Sequence, residues 1–356
     1  MGTVCKDNSE NQVTEAVELR TGYRILDYKV VRFIARGAFG AVYQVIFSEE
    51  FLSFMKNRIQ QCIPESSLFA VDHINTLPFA LKLESNNAET RNLKMEAVVL
   101  RTLLPLRSPY FCRLFFCGKT EKFNFIIMTL VGKNLNELRS NCPKQRFSRS
   151  SGLQIGIQMV DVVQQLHSVG FIHRDIKPAN FCMSLENPRQ LVMVDFGMCR
   201  KYVNDGGELR HPRWYVTGLK GTVRYAPLAA HHGRDSARKD DLESLFYVLV
   251  ELLVGTLPWM TMDDPVHVEH SKQVARTVGL RDFLSGCSKQ LVHILLYIDN
   301  LRFYDAPDYA MIRGLLHSAL ESYPHDTAFE WEEEMRSERR KSEYLRSKEE
   351  VELEDG

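Results

Sequence analysis

Alternating apolar runs mark the first elements of the chain. "YKVVRFI" (28–34) and "AVYQVIF" (41–47) are rich in β-branched and aromatic residues and flank a glycine-containing turn, which predicts strand, turn, strand. Residues 49–63 place Phe51, Met55, Ile59 and Ile63 at four-residue steps, the pattern of an amphipathic helix, and Pro64 ends it. "PFALKLE" (78–84) returns to strand. "AETRNLKMEAVVLRTLL" (88–104) predicts a helix with Leu93, Val99 and Leu103 on one side. "FNFIIMTL" (123–130) predicts a strand leading into "VGKNL", a connection near Gly132. Beyond it helical patterns dominate. One covers 153–170 and stops at Gly170; another covers 240–255, opens on acidic cap-type residues and closes at Gly255. A smaller strand-rich part thus precedes a larger helical part.

Composition narrows the classes. The chain has 356 residues, above the usual size of one core, so two lobes are expected. Hydrophobic residues make up 44% and charged residues 25%, as in an ordinary globular protein. Lys plus Arg and Asp plus Glu are each 45, so net charge gives no sign of a nucleic-acid partner, and any anion site must come from local clustering. The eight cysteines are scattered without a CxxC pair, which argues against zinc or a disulfide framework and suits a reducing cytoplasmic location. "MGTVCKDNSE" lacks a signal-peptide apolar stretch, and Lys6 stands where a myristoylation signal has Ser or Thr. The apolar run 245–260 is too short to span a bilayer and contains Glu251, so it reads as a buried helix, with no stable membrane insertion. Residues 1–21 are polar and expected to be flexible. From Trp331 onward nearly all is charge of both signs, so 326–356 reads as a solvated helix or disordered tail.

The candidate chemistry lies in four ordered segments: "RGAFGAV" (36–42), "FALK" ending at Lys82, "FIHRDIKPANF" (171–181) and "DFG" (195–197). Holding a polyphosphate, neutralising it with metal and orienting a hydroxyl are the requirements of phosphoryl transfer. Gly37 and Gly40 let backbone N–H groups approach phosphate oxygens, although a hairpin uses glycine for geometry alone. Lys82 on its strand could reach phosphates if Glu96, on the next helix, holds its ammonium. Asn180 and Asp195 are hard oxygen donors suited to Mg²⁺. Asp175 would orient or accept the proton of an attacking hydroxyl, and Lys177 would sit beside the transferred group. His173 reads as a packing and hydrogen-bonding residue. "CGKT" (117–120) is no phosphate loop, because no glycine stands five residues before Gly118.

Together these motifs resemble a eukaryotic protein kinase: glycine-rich loop, strand Lys, helix Glu, HRDxKxxN and DFG. The resemblance implies an α+β, bilobal fold, with a small β-rich N-lobe carrying one main helix and a larger α-helical C-lobe. Lys177, two residues after Asp175, is similar to the serine/threonine class. "HRDIKPANF", "GTVRYAPLAAH" and "DDLESLFYVLVELLVGTLPW" resemble the casein kinase I group; "APL" (226–228) lacks the Glu that ends other activation segments. "FNFIIMTLVGKNLNELR" and "LKGTVRYA" are most similar to the tau-tubulin kinase branch, whose divergent nematode members are a further candidate likeness. The likeness covers residues 22–325, with an N-lobe of about 22–131 and a C-lobe of about 132–325.

The resemblance implies ATP and Mg²⁺ as cofactors and protein substrates as partners; the oligomeric state is open, with a monomer expected. It also implies Met128 as gatekeeper, backbone groups of Thr129 and Val131 facing adenine, and Val42, Ala80 and Cys182 around the base. Thr222 would bridge Asp175 and Lys177, and Asp241 would brace the catalytic loop. The group resemblance further suggests activity without activation-segment phosphorylation, a question that Arg174 keeps open. Two departures stand out. Ala35 occupies the first glycine position of the nucleotide loop, and an insertion (48–78) separates the second and third strands, a candidate for partner contacts. Lys201, Arg210, His211, Arg213, Lys220 and Arg224 follow DFG. Of these, Arg213, Lys220 and Arg224 are the substrate-binding candidates, favouring acidic or phosphorylated sites.

Overall fold

The computed structural model describes residues 18–37, 40–48, 78–88, 90–324, 328–337 and 340. The expected helix at 49–63, nearly all of the insertion, the glycine-loop tip at 38–39, and the chain ends at 1–17 and 341–356 lie outside the described residues. The chain divides into two compact units. One comprises Met1–Ala97 with Arg113–Leu130; the other comprises Val98–Cys112 with Val131–Gly356.

The smaller unit is built on an antiparallel sheet of β1 (Arg24–Ile25), β2 (Tyr28–Gly37), β3 (Gly40–Phe47), β4 (Phe79–Ser85), β5 (Leu114–Lys119) and β6 (Phe123–Thr129). Its order is β1-β2-β3-β4-β6-β5. Successive side chains of a strand point to opposite faces, so alternate positions supply the core: Ala41, Tyr43 and Val45 from β3, Phe79, Leu81 and Leu83 from β4, Phe123, Phe125 and Ile127 from β6. This is the alternation seen in the sequence. The long helix that begins in this unit among the described residues, α1 (Asn92–Leu103), buries Leu93, Val99 and Leu103 as its pattern predicts.

The unit boundary crosses α1, which shortens the expected N-lobe: residues 98–112 group with the larger unit. The cause is backbone pairing, since the Met193 N–H donates to the Tyr110 carbonyl (2.9 Å) and Phe111 bridges Met193 in parallel.

In the larger unit, α2 (Leu135–Ser140) starts at a capping box. The Asn134 side chain accepts from the N–H groups of Asn136 and Glu137, and Glu137 accepts from the Asn134 N–H. Next come α3 (Arg149–Ser168), β7 (Phe171–Ile172), β8 (Phe181–Met183), β9 (Leu191–Met193) and β10 (Arg200–Lys201). The remaining helices are α4 (Leu228–His231), α5 (Arg238–Val254), α6 (Pro265–Val274), α7 (Leu280–Phe283), α8 (Lys289–Asn300) and α9 (Tyr309–Leu320). Helix α3 starts four residues before the expected 153, because Ser148 caps it by accepting from the Ser151 N–H. Helix α5 is the centre: every residue from Asp240 to Leu253 is buried, and α3 and α8 pack against it. A fully buried aliphatic side chain stabilises by roughly 1.5–3 kcal/mol, so this helix dominates the unit's core. Its acidic start works differently from a simple cap. Ala237 holds the cap position, and the Asp240 carboxylate reaches back from inside the helix to accept the Ala237 N–H (2.6 Å).

The expectation of a solvated tail from Trp331 fails for the residues nearest the fold. Phe329, Trp331 and Glu332 are buried. Trp331 packs on Phe147 with ring centroids 4.7 Å apart, and its indole N–H donates to the Pro188 carbonyl (3.0 Å). Glu332 pairs with Arg189 (2.7 Å), and Glu330 accepts the Ser148 N–H (2.6 Å). Apolar anchors at two positions override the surrounding charge. Among the described residues, no helix is long and apolar enough to cross a membrane.

Candidate active site

Strand β4 carries Lys82 between its cross-strand partners Val42 and Ile126. Its ammonium meets the Glu96 carboxylate from α1 at 2.5 Å, with Glu96 nearly fully buried. Charge-assisted contacts of this length fix both ends, so the expected strand-to-helix pair is formed. The same sheet brings Ala80 opposite Met128, and both are buried. Val42 pairs with Ala35, which is exposed. Ala35 has no positive φ, so its methyl group adds no backbone strain. The Thr129 N–H donates to the Arg113 carbonyl (3.0 Å), so that amide is not available to a base. Gly37 and Gly40 are partners at the hairpin end. Gly40 is required for a reason the sequence does not show: a Cβ there would lie 1.7 Å from the Leu83 carbonyl oxygen. Close approach of β4, not phosphate access, forbids a side chain.

The catalytic loop belongs to the larger unit. Asp175 is buried, and its two oxygens are held separately. Oδ1 accepts both the backbone N–H and the hydroxyl of Thr222, each at 2.9 Å; Oδ2 accepts from Lys177 Nζ at 2.6 Å. Lys177 also lies 3.3 Å from the Thr222 hydroxyl, closing the expected three-membered set. Asn180 donates its amide N–H to the Asp175 carbonyl (2.9 Å), which leaves its amide oxygen as the atom for a cation. His173 is fully buried against the Phe196 ring, 5.7 Å between centroids, and accepts the Asp175 N–H at Nδ1 (3.3 Å), as a packing residue should.

Asp241 braces this loop from α5. It accepts the N–H groups of His173 (2.6 Å) and Arg174 (2.8 Å) and the Nε2–H of His167 (2.8 Å). Burial alone would raise its carboxyl, but the His167 bond and the nearby imidazoles outweigh that and hold it below the usual carboxylate range. His167 was not visible as a participant in the sequence. Its Nδ1 lies 2.6 Å from the Tyr309 hydroxyl, which comes from α9.

Asp195 follows β9, and the Val194 N–H donates to the Asn180 carbonyl (2.9 Å), which ties together the two chain segments that carry the candidate metal donors, one just before β8 and one just after β9. Asp195 has φ 65° and Arg174 has φ 69°, left-handed conformations that favour glycine. Among the described residues no three His, Cys, Asp or Glu side chains form a metal cage. One carboxylate and one amide oxygen fit a Mg²⁺ that takes its remaining ligands from phosphates and water. Val131 is half-buried. Cys182 is buried in this unit beside Asn134, and burial pushes its thiol up.

The segment after Asp195 is held by residues that the sequence reading missed. Gly221, just before Thr222, has φ +90°, and a Cβ there would lie 2.6 Å from the Arg174 carbonyl oxygen. Only glycine lets the two loops meet. Lys272, fully buried on α6, donates to the carbonyls of Val223 (2.8 Å) and Ala226 (2.7 Å). Burial lowers its ammonium to about 7, and burial followed by the Lys272 charge lowers His231 to about 4. The third neighbour of Lys272 Nζ is His231 Nε2 at 3.1 Å. Glu243 from α5 accepts the Leu228 N–H (2.9 Å) and pairs with Arg276 (2.9 Å), so a carboxylate from elsewhere braces the "APL" end that lacks its own Glu. Of the substrate-binding candidates, Arg213 is paired with Asp235 at 3.0 Å, and Arg224 donates to the Met260 carbonyl (3.1 Å). Lys220 is exposed.

In the smaller unit a strand lysine is fixed by a helix glutamate, and in the larger an aspartate is clamped by lysine and threonine. Residues 67–300 match the protein kinase domain, and the chain belongs to that family. The relatives refine this to the serine/threonine kinases of the casein kinase I group. A probable serine/threonine-protein kinase of Dictyostelium discoideum is 35% identical over 263 residues, covering 73% of this chain and 52% of the relative. The chain therefore spans about half the length of that relative. The serine/threonine-protein kinase spe-6 of Caenorhabditis elegans is 35% identical over 265 residues, 72% of this chain and 69% of its own length. A probable casein kinase I homolog of Encephalitozoon cuniculi is 30% identical over 316 residues, 86% and 94% of the two chains. Protein kinases use ATP with Mg²⁺. The likeness to the tau-tubulin kinase branch rests on the sequence motifs alone.

Proposed function

We propose that this chain is a working kinase that transfers the γ-phosphoryl group of ATP to Ser or Thr hydroxyls of protein substrates. The observation that carries this is the Asp175 clamp. One Asp175 oxygen is held by Thr222 and the other by Lys177, a fixed carboxylate that supports a role in orienting a hydroxyl and taking its proton. Lys82, held by Glu96, would fix the nucleotide phosphates, and Lys177 would meet charge on the transferred group. Asn180 and Asp195 would hold Mg²⁺, which when bound neutralises the phosphates. The adenine-facing candidates are Met128, Ala80, Val42 and the Thr129 carbonyl on the smaller unit, and Cys182 and the Val131 backbone on the larger. A preference for acidic or phosphorylated sites would rest on Lys220 and Arg224 rather than on Arg213, whose charge Asp235 meets. A cytoplasmic location is proposed from the scattered cysteines of the sequence; fractionation of the tagged chain from cells tests that.

The test is transfer from labelled ATP with Mg²⁺ to casein and to neutral peptides, beside Asp195→Asn. Transfer by the wild type alone is expected. A folded wild-type chain that labels no acidic, phosphorylated or neutral substrate would leave a scaffold that keeps the fold without turnover.

A further inference from the structure

The segment from β10 to Thr222 must be held still if Thr222 is to clamp Asp175. In kinases switched on by phosphorylation, a phosphate does this by pairing with arginines. Three arginines are available here. Arg174 donates its Nε–H to the Met198 carbonyl (2.7 Å), and burial, then the charges of Arg200 and Arg213, push its guanidinium below the usual arginine range. Arg200 and Arg213 both turn to one carboxylate. Asp235, in the loop between α4 and α5, forms an ion pair with Arg200 through Oδ1 and accepts from Arg213 Nη2 at the same oxygen (3.0 Å). Its Oδ2 accepts the Arg213 backbone N–H (3.0 Å). The Asp235 side chain is 2% exposed, against 20% for Arg200 and 48% for Arg213. The adjoining Gly233 carbonyl takes the Val216 N–H (2.9 Å), so residues 213–216 are fastened to this loop at both ends.

We infer that Asp235 is a positioning residue: a resident carboxylate that does the work of an activation-segment phosphate by holding Arg200 and Arg213 together. It stands in the folded core beside α5, so the ordering anion is part of the chain and arrives with folding. Phosphate carries more charge and more acceptor oxygens than one carboxylate. Here the deficit is met by burial, which strengthens each contact, and by the backbone N–H of Arg213. This inference rests on the kinase reading for its catalytic consequence but not for its structural one.

The experiment compares the full chain with Asp235→Ala and Asp235→Glu. One readout is peptide phosphorylation; the other, independent of turnover, is hydrogen exchange of residues 200–216. Asp235→Ala is expected to lower kcat/KM for peptide by at least about tenfold, since it leaves two arginines without their buried partner, while KM for ATP stays unchanged. Its exchange should rise across 200–216, and added sulfate should restore both protection and part of the activity. Asp235→Glu should retain most of each. Wild-type protection in Asp235→Ala overturns the inference, as does lost protection spread over the whole unit that neither sulfate nor Asp235→Glu recovers. If the wild type shows no transfer but exchange responds to Asp235→Ala and to sulfate, the anchor stands and the kinase reading falls.

Discussion

The catalytic loop and the activation segment differ in where their fastenings come from. Between Phe171 and Phe181 most catalytic polar groups meet partners within a few residues, such as Lys177 on Asp175 and Asn180 on the Asp175 carbonyl. Asp241 and Thr222 are the side chains that reach the loop's own polar groups from afar, beside backbone contacts from Met198 and Val194. From Arg200 to Ala226 the pattern is reversed: Asp235, Lys272 and Glu251 come from other elements, the last accepting the Tyr225 hydroxyl at 2.6 Å. The first loop carries its geometry in its own sequence. The second borrows it.

Perturbing the two regions should separate chemistry from support. The largest effect belongs to Asp175→Asn, which removes the proton acceptor and should lower kcat by about 10³-fold with little change in melting temperature; steady-state kinetics beside thermal melts check it. Asp241→Asn should be next. It weakens three buried bonds at once, so a loss of roughly 3 kcal/mol of stability is expected in urea unfolding, with kcat falling as the loop loosens. Gly221→Ala forces a side chain into a left-handed position against the Arg174 carbonyl. It should cost about 2 kcal/mol and lower kcat more than KM for ATP.

The smallest effect concerns pH. The Lys272 ammonium is lowered from 10.5 to about 7. Between those values the unfolded chain binds this proton and the native chain does not, so stability from this site rises with pH across the window. Below about pH 7 both states are protonated and the slope vanishes. Lys272→Met should flatten the rise by at most about 1.4 kcal/mol per pH unit, read from urea midpoints at several pH values. An unchanged slope would mean that Lys272 keeps its proton in the fold.

The same contrast decides what was legible in the sequence. Strand alternation gave β2, β3, β4 and β6, because one buried face imposes a period of two. The catalytic set was legible because its members lie in short ordered motifs. Asp235, Lys272, Glu243 and His167 were not, since each meets its partners across tens of residues, and a single carboxylate or lysine in a helix looks solvated until the packing shows otherwise. The boundary of the smaller unit moved for a related reason: the pairing of Tyr110 and Phe111 with Met193 has no local signature. Gly40 was read for its chemistry when its constraint is steric.

The seating of Trp331 beside Phe147 bears on where the chain can be cut. A chain ended at residue 325, where the sequence motifs stop, would uncover Phe147 and leave Arg189 without Glu332. Such a fragment should express poorly and self-associate through the bared aromatic surface. Limited proteolysis of the full chain should spare the peptide bonds around Trp331 and leave a core fragment that still contains it, so the folded unit runs past the motifs to at least Glu332.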